Sequence, residues 1–520
     1  MSPVREGAPV AVVGAGTMGA GIALVAARAG HPVRLLDVRP DAARAAVAEL
    51  VARLDSLAAR GRITADQARA AAERLSAVAG TADLAGCAVV VEAVAEDLAV
   101  KRGLFADLET VVDAGALLAT NTSSLSVTAV ASGLRHPGRV VGLHFFNPAD
   151  RMRLVEVVRG EATDPPVVDD AVDLARAWDK TPVVCTSTPG FVVNRVARPY
   201  YGEAQRMVEE GVADPATVDA VLREAGAFPL GPFELTDLVG QDVNLAVSRS
   251  VWEQTFHDPR YAPTVFQQRL VDAGRLGRKT GRGVYAYDAL GRACDATPST
   301  EPPRPAPAHV VVQTFEGRTG FDVMAPLLDR IAAGGVVVER VELDEQDGDL
   351  PTPGIPLPGG AHLLETYGVA ASGSYASDGR PVVLLDWAHD ATTCTRVALS
   401  ASADCPPVSL AAAVGLCQAA GVAVSVVGES PGGIVARTVA MLVNEAVDLV
   451  GRGEATAEDV DVAMILGTGY PSGPLEWGER PGVDAPFVLE RLHEAFPTGR
   501  YRLSPLFERA ERAGRLLREL

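Results

Sequence analysis

The sequence predicts a doubly wound α/β sheet followed by an all-α domain, then a reduced α/β domain and a second copy of the all-α domain. Three observations support this fold class: strands alternate with amphipathic helices over the first 187 residues, a glycine-rich turn follows the first strand, and a helical segment recurs late in the chain. We expect domains at 1–187, 188–290, 309–428 and 429–520, with a linker at 291–308 that is rich in Pro, Ser and Thr.

Hydrophobic periodicity locates the elements of the first domain. Apolar runs predict strands at 9–14, 32–37, 88–93, 116–120 and 140–144. A period of about 3.6 residues predicts helices at 17–29, 41–60 and 98–112. The alternation of the two element types indicates a largely parallel sheet with helices on both faces.

A glycine-rich motif marks the turn between the first strand and the first helix. In this GxGxxG motif the first glycine allows a tight turn, the second lets backbone amides approach a pyrophosphate, and the third lets the helix pack on the strand. The next strand ends in Asp37, which can accept the ribose 2′-hydroxyl and repel a 2′-phosphate, although Arg39 leaves NADP use open. The unit therefore predicts a Rossmann-type domain that binds NAD through Gly14, Gly16, Thr17, Met18, Gly19 and Asp37.

A histidine and a glutamate form the second chemical motif. Strand 140–144 carries His144 to the carboxyl end of the sheet, where ligands of such folds bind. Oxidation of an alcohol needs a base for the hydroxyl proton, and an imidazole with a pKa of about 6.5 suits this role. Glu156, on a following apolar strand, could hold the other ring nitrogen. The residues alone leave open a structural core histidine and an edge-strand glutamate.

The second half of the chain repeats part of the first. From Gly190 to about Ala273 the pattern is mostly helical, and segment 189–242 recurs without gaps as 431–484, at an offset of about 242 residues. Because Ala436 stands where Asn194 does, we expect one active site per chain and a packing role for the second copy. Between the copies we expect a reduced Rossmann-like domain without a phosphate loop, with strands at 309–313, 335–343, 382–386 and 422–427 and a helix at 408–420.

Composition narrows the class of protein. With 520 residues, a net charge of −19 and 48% apolar residues, the chain is an acidic globular protein whose surface repels nucleic acid and anionic membranes. The uncharged run at 405–428 is diluted by Gly, Gln and Ser, so we interpret it as a helix and a strand rather than a membrane span. Six cysteines without CxxC spacing and the lack of a targeting signal lead us to expect no metal and a cytoplasmic location.

Four motifs carry a resemblance to a known family. They are Asn-Thr-Ser-Ser-Leu at 121–125, His-Phe-Phe-Asn-Pro at 144–148, Thr-Pro-Gly-Phe-Val-Val-Asn-Arg at 188–195 and Gly-Pro-Phe-Glu-Leu at 231–235. In this order and spacing they resemble the 3-hydroxyacyl-CoA dehydrogenases. In particular, the chain resembles the long, duplicated form similar to the 3-hydroxybutyryl-CoA and 3-hydroxyadipyl-CoA dehydrogenases of phenylacetate degradation.

The resemblance implies reversible NAD-dependent oxidation of a (3S)-3-hydroxyacyl-CoA, with 3-hydroxybutyryl-CoA or 3-hydroxyadipyl-CoA as the expected substrate. It implies that His144 is the base, that Glu156 orients it, and that Ser123 and Asn194 surround the reacting carbonyl. For the cofactor it adds Glu96, Lys101, Asn121, Asn147 and Lys279. For CoA we expect Ser123 together with Arg53 and Arg60, which lie seven residues apart on helix 41–60 and hence on one face.

Several alternatives stay open. A free β-hydroxyacid dehydrogenase would be expected to use a lysine base, and a catalytically silent CoA- or dinucleotide-binding protein would need no base. Residues 149–153 carry more charge than is usual after the Asn-Pro of the family, which leaves the acyl preference open. We expect an acyl-CoA thioester as the partner and neither nucleic acid nor a membrane. A homodimer fits the family, although the second helical copy could occupy the same surface within one chain.

Overall fold

The computed structural model describes residues 7–39, 41–315, 320–343, 353–373 and 379–519. The chain forms two compact units: Met1–Arg195 with Gly453–Thr468, and Val196–Arg452 with Gly469–Leu520. Within the described residues, no helix combines the length and the apolar character that crossing a membrane requires.

The first unit is an α/β domain. Its strands are β1 (Val10–Val13), β2 (Val33–Leu36), β3 (Leu75–Ala77), β4 (Val89–Glu92), β5 (Leu117–Thr120), β6 (Val140–Phe145), β7 (Leu154–Arg159) and β8 (Thr181–Thr186). Its helices up to the unit boundary are α1 (Thr17–Arg28), α2 (Ala42–Ala59), α3 (Ala65–Glu73), α4 (Leu98–Val111), α5 (Val127–Ala131), α6 (Pro165–Ala177) and α7 (Val193–Val196), the last of which crosses into the second unit.

The eight strands form one sheet in the order β3-β2-β1-β4-β5-β6-β7-β8. Neighbours are parallel except for β6 and β7, which are antiparallel. The central strands β1, β4 and β5 are wholly buried, as expected for a parallel sheet covered on both faces by helices. The Rossmann-type fold class that the alternation predicts is thus confirmed.

Several elements of this unit have no counterpart in the sequence prediction, among them α3, β3, α6 and β8. Helix α3 and strand β3 form within residues 61–87, where periodicity is weak because the elements are short. The helix begins with a capping box: the Thr64 hydroxyl accepts a hydrogen bond from the Gln67 amide, and the Gln67 side chain accepts one from the Thr64 amide. This local signal was present in the sequence and could have located the helix.

The second unit holds the remaining elements except one helix. Its helices are α8 (Arg198–Glu209), α9 (Pro215–Glu224), α10 (Pro232–Val239), α11 (Gln241–Gln254), α12 (Val265–Asp272), α13 (Ala325–Ala333), α14 (Pro407–Ala419), α15 (Val435–Gly451), α17 (Pro474–Gly478), α18 (Ala485–Ala495) and α19 (Pro505–Ala513). Helix α16 (Ala457–Thr468) belongs to the first unit. The strands are β9 (His309–Thr314), β10 (Val337–Glu342), β11 (Ile355–Pro356), β12 (His362–Glu365), β13 (Val382–Leu385), β14 (Arg396–Ala401) and β15 (Ala423–Val426).

The strands of the second unit form two sheets. Strands β9 and β10 pair in parallel, and a five-stranded sheet runs in the order β11-β12-β13-β14-β15. The expected linker is extended and hydrogen-bonds beside this sheet, because the Glu301 amide donates to the Val424 carbonyl over 2.8 Å. The uncharged run at 405–428 forms α14 and β15, as the sequence predicts.

The duplication extends further toward the N-terminus than the sequence alignment. Strands β13, β14 and β15 begin 242 residues after β6, β7 and β8, and α14 begins 242 residues after α6. The strand directions also agree, since β13 and β14 are antiparallel and β14 and β15 are parallel. The reduced domain therefore keeps the second half of the sheet. At the position of His144 it has Asp386.

A buried ion cluster holds the second unit together. Glu203 on α8 is fully buried, and it accepts hydrogen bonds from Arg437 Nε at 2.8 Å, Arg500 Nε at 2.6 Å and the Tyr501 hydroxyl at 2.9 Å. Burial alone would raise the pKa of Glu203, but the two guanidinium groups outweigh it and lower the pKa to about 2. The carboxylate is therefore charged at neutral pH, and its removal leaves buried cations uncompensated.

We expect Glu203→Gln to lower the free energy of unfolding by about 3 to 5 kcal/mol, because it removes the anion and leaves the buried guanidinium groups without their charge partner. Urea unfolding of the variant measures this loss. Glu508→Gln, which breaks an exposed pair with Arg512, serves as the control and should change stability by less than about 1 kcal/mol. The folded-state pKa lies below the ordinary value of 4.5, so the difference between wild type and variant should shrink as the pH falls from 4.5 toward 2. Equal unfolding midpoints at neutral pH would contradict this prediction.

Candidate active site

The antiparallel pairing of β6 and β7 brings a histidine opposite a glutamate. In the strand register His144 faces Glu156 directly, and His144 Nδ1 lies 2.6 Å from Glu156 Oε2. The glutamate is fully buried and the histidine is 6% exposed. A carboxylate accepts hydrogen bonds, so a neutral His144 in this contact would carry its proton on Nδ1 and its lone pair on Nε2. The interpretation of Glu156 as an edge-strand charge is wrong, since β7 lies between β6 and β8.

The second oxygen of Glu156 holds the start of α7. Glu156 Oε1 accepts hydrogen bonds from the backbone amides of Val192 at 3.1 Å and Val193 at 2.8 Å. These amides would otherwise be unpaired at a helix N-terminus, where a carboxylate is favoured. One side chain thus joins the imidazole to the segment that carries Asn194.

Two phenylalanines pack against the imidazole. The ring centroids of His144 and Phe146 are 4.6 Å apart, and those of His144 and Phe191 are 5.9 Å apart. Phe191 has a positive φ of 50°, which is uncommon for a residue other than glycine, asparagine or aspartate. Sequence reasoning did not assign Phe146 and Phe191 to the site, although both lie inside the motifs on which the resemblance rests.

Glu96 organises the loop that contains Ser123. Glu96 Oε1 accepts hydrogen bonds from the Thr122 hydroxyl at 2.6 Å and from the amides of Ser123 at 3.0 Å and Ser124 at 3.1 Å. The other oxygen pairs with Lys101 Nζ at 3.2 Å. Burial would raise the pKa of Glu96, but Lys101 and these donors outweigh it and leave the pKa below its ordinary value.

Lys101 is a buried residue of the first turn of α4. Its side chain is 1% exposed, and Nζ lies 2.6 Å from Glu92 Oε1 at the end of β4. Glu92 also accepts a hydrogen bond from the Thr120 hydroxyl at 2.7 Å. Sequence reasoning missed Glu92 and Thr120, whose role depends on two strands lying side by side.

Four further site candidates of the first unit lie after strands β5 and β6 and on α7. The Asn121 side chain follows β5 and accepts a hydrogen bond from the Phe145 amide at 2.8 Å, which ties the ends of β5 and β6 together. Asn147 is exposed just after β6, and Asn194 is half-buried on α7. Ser123 follows β5 two residues after Asn121 and is half-buried.

The glycine-rich turn borders a cavity of about 690 Å³. A Cβ atom on Gly14 would lie 2.4 Å from the Ala93 carbonyl oxygen, and one on Gly19 would lie 1.8 Å from the Gly14 carbonyl oxygen, so neither position accepts a side chain. Gly16 instead faces open space within the cavity lining, with nothing within 4 Å of its Cβ position. This opening at the N-terminus of α1, where Thr17 and Met18 begin the helix, fits a pyrophosphate.

Asp37 lies at the end of β2 in the wall of this cavity. It accepts hydrogen bonds from the Ala15 amide at 2.8 Å and from Arg39 Nε at 3.0 Å. The hydrogen bond from the Arg39 side chain is the main cause that lowers the pKa of Asp37 to about 2. The carboxylate is therefore ionised throughout the physiological range, as recognition of a ribose hydroxyl requires.

The other three basic residues expected at the site, besides Lys101, differ in their contacts. Arg53 on α2 pairs with Asp150 at 2.5 Å, and Arg60 is exposed at the C-cap of α2 rather than within the helix. Lys279 belongs to the second unit, where it pairs with Asp242 at 2.6 Å. In the described part of the chain no group of three His, Cys, Asp or Glu side chains is arranged to hold a metal ion.

Three family models match most of the chain. The NAD-binding domain of 3-hydroxyacyl-CoA dehydrogenase matches residues 9–188, and the C-terminal domain of 3-hydroxyacyl-CoA dehydrogenase matches 190–287 and again 432–519. The reduced Rossmann-fold domain of 3-hydroxybutyryl-CoA dehydrogenase matches 363–431. These matches confirm NAD as the cofactor, the reduced character of the third domain and the second helical copy.

Similar proteins and structures cover most of the chain or its first half. A 3-hydroxyadipyl-CoA dehydrogenase of Escherichia coli is 41% identical over 494 residues, which are 95% of each chain. A 3-hydroxybutyryl-CoA dehydrogenase of Mycobacterium tuberculosis is 40% identical over 54% of this chain and 98% of its own. The crystal structure of a 3-hydroxybutyryl-CoA dehydrogenase from E. coli aligns with a TM-score of 0.84 at 39% identity, over 98% of this chain and 99% of its own.

We expect Asp37→Ser to shift coenzyme preference from NADH toward NADPH by about 10-fold or more in the ratio of dissociation constants. The change removes the charge that repels a 2′-phosphate and frees Arg39 to pair with it. Fluorescence titration with both coenzymes measures the ratio. Asp41→Asn, which removes an exposed acid four residues away, is the control and should leave the ratio unchanged. An Asp37→Ser protein that keeps the wild-type ratio would contradict this role.

Proposed function

The chain belongs to the 3-hydroxyacyl-CoA dehydrogenase family, and we propose that His144 and Glu156 perform its reaction, the NAD-dependent oxidation of a (3S)-3-hydroxyacyl-CoA to the 3-oxoacyl-CoA. The observation that carries this assignment is the 2.6 Å contact between His144 Nδ1 and Glu156 Oε2 at the carboxyl end of the NAD-binding sheet. A base held in one tautomer by a buried carboxylate suits proton abstraction near neutral pH.

His144 and Glu156 have different roles in the proton transfer. His144 Nε2 accepts the proton of the 3-hydroxyl during oxidation and returns it to the 3-oxo group during reduction. Glu156 stabilises the resulting imidazolium, because it faces the ring from a fully buried position. Bound NAD supplies the hydride acceptor. The hydroxyl of Ser123 and the amide of Asn194 hold the oxygen of the reacting carbon.

Cofactor binding is assigned to two groups of residues. The glycine turn receives the pyrophosphate and Asp37 the ribose, which is supported by the opening at Gly16 and by the ionised carboxylate. The nicotinamide half is assigned to a second set of residues that the family resemblance implies. This set consists of Glu96, Lys101, Asn121, Asn147 and Lys279.

The CoA moiety is assigned to Ser123, Arg53 and Arg60. The exposed guanidinium of Arg60 is suited to a phosphate, while Arg53 would have to share its charge with Asp150. For the acyl group we propose 3-hydroxybutyryl-CoA or 3-hydroxyadipyl-CoA, the thioesters in the names of the relatives, and a place in phenylacetate breakdown. The domain boundaries, a homodimer and a cytoplasmic location also stay predictions.

We expect His144→Gln to lower the turnover of acetoacetyl-CoA reduction by about 100-fold to 10,000-fold, because the reaction loses its acid-base group. NADH absorbance measures the rate, and NADH fluorescence should report nearly unchanged coenzyme binding. His136→Gln replaces an exposed histidine and should retain full activity. Turnover within about twofold of wild type in His144→Gln would exclude His144 as the base.

Comparison of three substrates distinguishes the possible activities. We expect NADH oxidation with acetoacetyl-CoA or 3-oxoadipyl-CoA and none with a free 3-oxoacid, because the site is assigned to a CoA thioester. Initial rates at matched concentrations provide the measurement, and their ratio gives the acyl preference. Reduction of the free acid alone would indicate a β-hydroxyacid dehydrogenase, and inactivity with all three would indicate a binding protein.

A further inference from the structure

One loop controls the position of the Glu156 carboxylate. Residues 188–195, here called the cap loop, run from the end of β8 into α7 and supply the two amides that bind Glu156 Oε1. The same loop places the ring of Phe191 5.9 Å from that of His144. A displacement of the cap loop would therefore move both the partner of the base and one wall of its pocket.

Both ends of the cap loop are held by a single carboxylate. Glu454 Oε2 accepts a hydrogen bond from the Thr188 hydroxyl at 2.9 Å and forms an ion pair with Arg195 Nη1. The Arg195 side chain is 4% exposed and that of Glu454 is 12% exposed, so the pair is largely shielded from water and is strong. The Glu454 carbonyl also accepts a hydrogen bond from the Thr186 amide at 2.9 Å, just before the loop.

Glu454 comes from the second copy of the repeat. It lies in segment 431–484, within the stretch Gly453–Thr468 that belongs to the first unit. Its counterpart in the first copy is Val212, whose carbonyl accepts a hydrogen bond from the Gly428 amide at 2.7 Å, just as that of Glu454 does from Thr186. The backbone contact is thus made in both copies.

Only one copy of the repeat has a carboxylate at this position. Glu454 contacts the cap loop, which lies beside His144. Its counterpart is the apolar Val212, in the half where Asp386 stands at the position of His144. The counterpart of Arg195, Arg437, pairs instead with Glu203 and Glu210. Arg437 also donates to Ser430, the counterpart of Thr188, at 3.1 Å. The two ends of the equivalent loop are therefore joined directly, whereas a carboxylate joins the two ends of the cap loop beside His144.

We propose that Glu454 is a positioning residue for the reaction, acting through the cap loop and Glu156 on His144, so that the second copy contributes to the active site of the first. The proposal rests on the assignment of His144 as the base. It extends the packing role expected for the second copy.

The experiment compares Glu454→Gln with matched variants in steady-state reduction of acetoacetyl-CoA by NADH. Glu458→Gln is the control, because it removes an exposed acid from the first turn of α16, four residues after Glu454. Glu210→Gln is the second control, because it weakens the equivalent arginine pair of the other copy. His144→Gln is included to test the underlying function separately.

We expect Glu454→Gln to lower kcat by about 10-fold to 100-fold with little change in the KM for NADH, since a small misplacement of the reacting groups costs rate rather than coenzyme binding. A loosened Glu156 stabilises the imidazolium form of His144 less. The decline of the reduction rate with rising pH should therefore begin at a lower pH than in wild type. Both controls should keep the wild-type kcat and pH profile.

Thr188→Val removes one of the two contacts of the Glu454 carboxylate without leaving a buried charge unpaired, and it replaces Glu454→Gln if that protein does not fold. It should shift the pH profile in the same direction with a smaller loss of kcat. A folded Glu454→Gln or Thr188→Val protein with wild-type kcat and pH profile overturns the proposal if His144→Gln is inactive. Full activity of His144→Gln instead overturns the proposed function and this inference with it.

Discussion

The structure of the active site depends on one carboxylate that serves two partners. Glu156 presents one oxygen to His144 Nδ1 and the other to the amides of Val192 and Val193. The imidazole and the start of α7 are therefore held by the same group, and neither can shift without affecting the other. Since the carboxylate is fully buried, water does not weaken either contact.

The sheet topology makes this arrangement possible. A wholly parallel sheet would carry successive strand ends to one edge and would need a long connection between them. The reversal at β6 and β7 instead places two side chains of neighbouring strands directly opposite each other. The parallel part of the sheet keeps its usual role, with the glycine turn and Asp37 at the carboxyl ends of β1 and β2.

Much of the fold and part of the site could be predicted from local pattern. The GxGxxG turn and Asp37 are close in sequence and each has a direct physical reason, and the strand that ends at His144 is a continuous apolar run. The burial of Lys101 could not be predicted, because it depends on Glu92 and Thr120 on adjacent strands. Contacts of this kind are set by strand order, which no local pattern contains.

The N-terminal part of the repeat could not be recognised from the sequence for a similar reason. Residues 140–186 and 382–428 share strand order and spacing but few side chains, so their relation emerges from the backbone. Placement of α16 with the first unit was likewise invisible in the sequence, since its copy α9 belongs to the second unit.

Asp386 marks a chemical difference between the two halves of the repeat. It stands where His144 does, and its carboxylate accepts hydrogen bonds from the amides of Ile434, Val435 and Ala436. The first two are the counterparts of Val192 and Val193, whose amides Glu156 holds in the first half. Opposite it, where Glu156 would be, is Ala398. Replacement of Asp386 by histidine alone would leave a buried helix end without an acceptor. A pair like His144 and Glu156 in this half would also need a carboxylate at Ala398, so no single substitution produces it.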